Sequence, residues 1–169
     1  MTFLLPKAGA RGQGTPPLAR RASEAGLAGF GAFLAILVLG LAQDGSGVLL
    51  LIAPFGASCV LVFAIPQSPL ARPRNVIGGH VLSTAVGVAV LHFCGAAPWA
   101  VALGVGLAIA AMLLTDTLHP PAGADPIVAM LTGASWTFPL MPVAVGATTI
   151  VLLAAGFHRY VTRHPYPAR

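Results

Sequence analysis

The sequence predicts an all-α membrane protein of about six transmembrane segments, arranged as two inverted three-segment repeats in which segments two and five are broken at Pro-x-Gly-Ala. Three observations predict it. Of the 169 residues, 57% are hydrophobic and 8% charged, against about 25% charged in a soluble domain, which rules out a water-soluble globule. The Lys, Arg, Asp and Glu residues fall mostly before Gly26, around Arg72 and Arg74, and after Phe157. The stretches between them are as long as the roughly 20 apolar residues a helix needs to cross hydrocarbon. Sliding the chain on itself by 67 positions places Pro54, Gly56 and Ala57 on Pro121, Gly123 and Ala124, with Val60 on Ile127, Val76 on Val143 and Gly79 on Gly146.

The elements follow in order. Residues 1–24, with Lys7, Arg11, Arg20 and Arg21 among glycines and prolines, read as a flexible basic tail. The first long apolar run has the size of a span, so no cleaved secretory signal is expected. Ala25 to Ala42 forms the first span and ends in the polar turn from Gln43 to Gly47. Val48 to Ile65 is the second, broken in its middle, where Pro54 removes a backbone donor and Gly56 weakens the helix. Pro66 to Asn75 is a loop, with Asn75 an N-cap for the third span, Val76 to Phe93. Trp99 opens a fourth span ending near Thr115, antiparallel to the third. The fifth segment, Leu118 to Ser135, is plainly helical only from Ile127 to Leu131. Span six runs from Pro139 or Pro142 to Phe157, before a basic tail over 158–169. The result is one transmembrane domain, 25–157, with halves at about 25–95 and 97–157.

Gly79, Ser83 and Gly87 on span three, and Ala102, Gly106 and Ala110 on span four, give the small-residue spacing of close membrane helix pairs. Cys59 and Cys94 lie in apolar stretches and are expected to be free thiols, with no disulfide framework or cysteine metal cluster. Basic residues favour the cytoplasmic side. Six crossings put both termini, Arg72 and Arg74 there, and place Trp99 and Trp136 at the outer face. Three crossings per half is an odd number, so the second half lies upside down relative to the first. Discontinuous helices in such repeats often meet near the bilayer midplane and form the substrate site. The alignment pairs Ser58 with Asp125, both suited to cap half-helices beginning near Cys59 and Pro126.

Leu118-His119-Pro120-Pro121-Ala122-Gly123-Ala124, with Ala53-Pro54-Phe55-Gly56-Ala57-Ser58 and Pro73-Arg74-Asn75-Val76-Ile77-Gly78-Gly79-His80, closely resembles the HPP family of integral membrane proteins. The resemblance covers nearly everything except the two tails. It implies a multi-span protein of bacterial membranes and of plastids, some members of which are linked to nitrite transport. The family is usually described with four spans, fewer than the six read here. Some members carry an appended soluble regulatory domain, and this chain, ending soon after span six, is expected to lack one.

Two opposed helix N-termini would offer unpaired N–H groups and positive dipole ends to a small anion, a description nitrite fits. The amides near Gly56, Ala57, Ser58, Gly123 and Ala124 would supply most contacts, at breaks shaped by Pro54, Pro120 and Pro121. His119 and His80 can donate to an anion and change charge near neutral pH; Asn75 completes the substrate-binding set. Asp125 works against a simple anion site, and as an intramembrane acid it is a functional candidate that could carry a proton. Arg72 and Arg74 would form a basic inner vestibule, where Asp116, near the inner end of span four, is read as a solvated residue, with pairing to Arg72 or Arg74 as the alternative. No Ser-His-acid set is visible, so an enzyme is not expected, nor is a cofactor, a metal or a nucleic-acid partner. The expected partners are a small inorganic anion, the lipid bilayer and further copies of the chain. The alternatives are a metal-dependent intramembrane enzyme using His80, His119 and Asp125, a cation-binding transporter, and a structural subunit.

Overall fold

The computed structural model describes residues 17–167, and among them every regular element is helical; Lys7 and Arg11 lie outside the described residues. Helix α1 spans Leu18–Ser46, so it begins inside the stretch read as a tail. Pro17 precedes its first turn, and Arg20 and Glu24, one turn apart, pair at 2.9 Å, a spacing that supports a helix at the membrane edge. The helix stops at Gly47, which takes the left-handed conformation (φ +67°) and returns its N–H to Gln43 O, the usual glycine stop.

The second segment differs from its sequence reading. Its break lies ahead of Pro54, with the chain extended at Ile52 (φ −116°, ψ 147°), and α2 spans Ala53–Cys59 and continues through a wider π-type turn, Val60–Ala64. The half-helix therefore starts at Ala53, not near Cys59, and Ser58 is inside it rather than at its cap. Proline in a first turn has no N–H to lose, and Gly56 alone does not break the helix. The extended lead-in is held by Gln43, whose side-chain oxygen accepts from Leu50 N–H at 3.1 Å and Leu51 N–H at 3.0 Å.

After a short 3-10 turn, Pro69–Ala71, α3 spans Pro73–Cys94. Arg72 occupies the cap and Pro73 the first turn, so Asn75 is not the cap expected from sequence; its amide reaches out to Leu118 O at 2.9 Å. Helix α4 spans Pro98–Leu114. Asp116 follows at φ +53°, a left-handed position that aspartate tolerates better than most side chains. The fifth segment is extended at His119 (φ −135°, ψ 103°), tightens into a 3-10 turn, Pro120–Ala124, and opens into α5, Asp125–Leu131. Asp125 is the first helical residue, and its carboxylate makes no cap bond. The last segment bends at Met141 (φ −131°, ψ 111°) inside a wide turn, Pro139–Ala144, before α6, Val145–Phe157, and a final turn, His158–Thr162.

Among the described residues, three helices are long and apolar enough to cross a membrane: Leu18–Ser46, Pro73–Cys94 and Pro139–Thr162. Residues 53–64 reach only about 18 Å at 1.5 Å per helical residue. The extended residues ahead of them add about 3.3 Å each, enough together to traverse about 30 Å of hydrocarbon. The 67-residue shift carries Ala53–Ala64 residue for residue onto 120–131, and Pro73–Cys94 to within a residue of Pro139–Thr162 at each end.

Each discontinuous segment lies along the third helix of the other half. A Cβ on Gly79 of α3 would meet His119 Cβ and Thr117 O, each at 2.8 Å. One on Gly87 would meet Pro126, and Val90 clusters with Met130. The fifth segment thus climbs α3 from one end of the bundle toward the other. At the equivalent Gly146 of the sixth helix, a Cβ would run into the Phe55 ring and approach Leu50 O at 3.3 Å. Farther along, His158 Nε2 donates to Val62 O at 2.7 Å. Glu24, Gln67, His158 and His164 share one end of the bundle, where Arg74 Nη2 donates to Thr115 O at 2.6 Å. At the other end Trp136 packs edge-on against His92, with ring centres 5.4 Å apart. A core of Ala35, Leu39, Phe55, Val62, Val76, Ala147 and Ile150 lies between.

Candidate functional site

Four polar side chains from four places in the chain converge in this apolar interior. Ser58 comes from the second turn of α2, His80 from the second turn of α3, His119 from the extended residue before the 3-10 turn, and Asp125 from the first turn of α5. Ser58, His80 and His119 have no exposed surface and Asp125 has 1%. Gly79 makes the convergence possible, since any side chain there would push His119 and Thr117 away from α3.

The hydrogen bonds form one chain. With His119 neutral, its Nδ1 carries the proton, because it lies 2.8 Å from Leu70 O, and a carbonyl can only accept. Nε2 of His119 then offers a lone pair to the Ser58 hydroxyl at 2.8 Å. The Ser58 oxygen in turn accepts from His80 Nε2–H at 2.7 Å. His80 Nδ1 lies 2.7 Å from Asp125 Oδ2, with one proton held between ring and carboxyl. Whether that proton is on the acid or on the imidazole, the assembly carries no net charge, the form a low-dielectric interior favours. Asp125 Oδ1 and Thr84 Oγ1 are buried without a hydrogen-bond partner among the described residues; Thr84 faces the same carboxyl group.

Sequence reasoning found no Ser-His-acid set, and the structure corrects it: Ser58, His80 and Asp125 are linked in that order. In an open site this arrangement would activate a serine nucleophile. Here Ser58 is enclosed inside a helix, and the Phe55 ring meets His80 edge-on with centres 5.1 Å apart, so no acyl group has an approach to the hydroxyl. A buried chain of alternating donors and acceptors can hold a proton and pass it along. Among the described residues, no three of His, Cys, Asp and Glu form a group fit for a metal ion.

The two breaks meet as the sequence predicts, but side chains fill the space between them. Gly56 and Ala57 face outward on the exposed side of α2, while Gly123, Ala124 and Pro121 are half-buried and Pro120 is exposed. These amides do not line a common cavity, because α2 starts earlier than its sequence suggests and turns them away. Pro54 is buried, its carbonyl 3.3 Å from Ser58 Oγ. Asn75 stands at the end of the bundle, apart from the four, and Asp116 makes no ion pair with Arg72 or Arg74 among the described residues. The sequence reading missed Thr84, one turn along α3 from His80. It also missed His158, which is 1% exposed and lines a cleft of about 460 Å³ between α1, the end of the second segment and the chain's last turn. The signal for Thr84 was available: His80, Ser83, Thr84 and Gly87 fall on one helical face.

Residues 17–167 match the family model described as "HPP, transmembrane region". Two transmembrane proteins of Dictyostelium discoideum are similar to the chain. One is 34% identical over 163 residues, covering 89% of this chain and 52% of its own length. The other is 36% identical over 157 residues, covering 85% and 55%. The chain thus spans about half the length of these curated relatives. No solved structure matches.

Proposed function

The chain belongs to the HPP transmembrane family, and from that premise we propose that it is a transporter or channel for a small inorganic anion, nitrite foremost, moving with a proton. The observation that carries this reading is the buried chain from Asp125 through His80 and Ser58 to His119. It can take up one further proton without displacing a heavy atom. A second proton on His119 makes both of its nitrogens donors, one to Leu70 O and one to Ser58. The Ser58 hydroxyl then turns its hydrogen to Pro54 O, already 3.3 Å away, and its oxygen accepts from both imidazoles. The core becomes cationic, a form that attracts an anion and is neutralised by it. Exposed Arg72 and Arg74 at the end of the bundle would raise the local anion concentration.

The same reading takes the two halves as an inverted repeat, a relation supported by the matched boundaries and by the equivalent seats at Gly79 and Gly146. It takes the end carrying Arg72 and Arg74 as the cytoplasmic side of a bacterial plasma membrane, with both termini on that side, by the bias of basic residues. It also takes the protein as a homo-oligomer and not an enzyme. A second reading, a cation site, draws on the unpartnered Asp125 Oδ1.

Flux into proteoliposomes of the purified protein tests the proposal, with nitrite, nitrate, chloride and formate, each with and without a pH gradient. Nitrite accumulating down an imposed proton gradient is the expected result. Flux of no anion under either condition would overturn it, and metal-dependent chemical turnover would favour the enzyme alternative instead. For topology, a cysteine at Ser68 should react only from the side that carries both termini.

A further inference from the structure

The last turn of the chain folds back over the loop that ends the proton relay. Tyr166 O–H donates to Ala71 O at 2.9 Å, and Gln67 Nε2 donates to Pro165 O at 3.4 Å. The Tyr166 ring packs on His158 with centres 5.5 Å apart, and His158 is itself tied to Val62 O. Leu70, whose carbonyl receives the His119 Nδ1 proton, is in the same 3-10 turn as Ala71.

We propose that Tyr166 is a positioning residue for the relay: by holding the Pro69–Ala71 turn it keeps Leu70 O against His119 and so fixes which ring nitrogen of His119 carries the proton. This deepens the proton-coupled reading and rests on it. The tautomer decides the direction of the whole chain. With the proton on Nδ1, Nε2 is free to accept from Ser58; with the proton on Nε2, Ser58 must give its hydrogen to Pro54 O instead, and the bare Nδ1 lone pair faces the Leu70 carbonyl. Freeing the turn removes the carbonyl contact that holds His119 in the Nδ1–H form. Burial pushes the Tyr166 phenol up to about 12, so it remains a donor while the relay below it changes its protonation. An anchor with a purely structural role would stabilise the fold and leave the tautomer alone.

The test uses the full chain in lipid nanodiscs with 15N-labelled histidine, whose nitrogen shifts separate the two tautomers, the His119 signal being assigned by its loss in His119→Gln. Tyr166→Phe is expected to bring up the Nε2–H form of His119 and to slow proton-driven nitrite accumulation roughly three- to tenfold, the scale of one lost hydrogen bond. Downhill anion binding should be unchanged. Tyr160→Phe, which alters an exposed phenol at the same end, should match the parent in both readouts. A folded Tyr166→Phe protein with the parent tautomer overturns the proposal. If that variant does not fold, Gln67→Ala loosens the same turn from its other tether and is read in the same way. Should the parent carry no anion at all, the function proposed above fails, while the tautomer measurement still decides the role of Tyr166.

Discussion

The second and fifth segments share a backbone plan and little else. Each enters as extended chain, at Ile52 and at His119, and each then coils over equivalent residues, 53–64 and 120–131. Each presses its lead-in against a glycine at the same place on the other half's third helix. Yet the second contributes a hydroxyl, Ser58, where the fifth contributes an acid, Asp125, and the fifth has a histidine where the second has Ile52. The lead-ins are held differently too. Gln43 accepts two N–H groups from the second, while Asn75 donates to one carbonyl of the fifth. Similar backbone plans therefore surround one asymmetric chain of hydrogen bonds. The glycines and boundaries express what the backbone needs twice, and the polar residues express what the chemistry needs once.

The sharpest way to break this comparison is at its most asymmetric position. Asp125→Asn should abolish pH-driven accumulation while keeping or strengthening anion binding, because the acid that shares its proton with His80, and repels an anion whenever it is ionised, is gone. If it instead abolishes binding of every anion while a cation binds the parent protein, the site is cationic. The next test concerns what the halves share. Gly79→Ala and Gly146→Ala should each destabilise the protein by about 1–3 kcal/mol through overpacking, measured by thermal unfolding in detergent. Destabilisation by only one of them would show that the two seats are not equivalent.

The lead-ins give a smaller and graded effect. Gln43→Leu strands two N–H groups and should cost about 1–3 kcal/mol, whereas Asn75→Ala strands one carbonyl beside the bundle end and should cost about 0.5–1.5 kcal/mol. The reverse order would mean that the fifth lead-in depends more on its side-chain tether than the second. The least effect is expected at the exposed His92, where replacement by Ala should change stability by no more than about 0.5 kcal/mol and leave flux as in the parent.

Much of the scaffold was legible in the sequence because its signals are local or periodic. Charge-free runs marked the long helices, and the 67-residue offset of the Pro-x-Gly-Ala motifs is also the offset between matching element bounds. Caps were misread where two good candidates competed. Pro73 and Pro54 claimed first turns ahead of Asn75 and Ser58, since a residue without an N–H loses nothing there. The buried hydrogen-bonded chain was only half legible. Ser58, His80, His119 and Asp125 were each singled out, but their linkage joins residues 22, 45 and 61 positions apart. No spacing rule spans three separate elements, and so the Ser-His-Asp order could be seen only in space.

The crossed seating of the two halves has a consequence for synthesis. When the ribosome has delivered the chain only as far as Cys94, His80 and Ser58 are already committed to the bilayer, while Asp125, His119 and the Gly146 seat for Phe55 do not yet exist. Within the first half Ser58 and His80 can bond each other, but His80 Nδ1 and the Gly79 seat stay without their partners until the second half arrives.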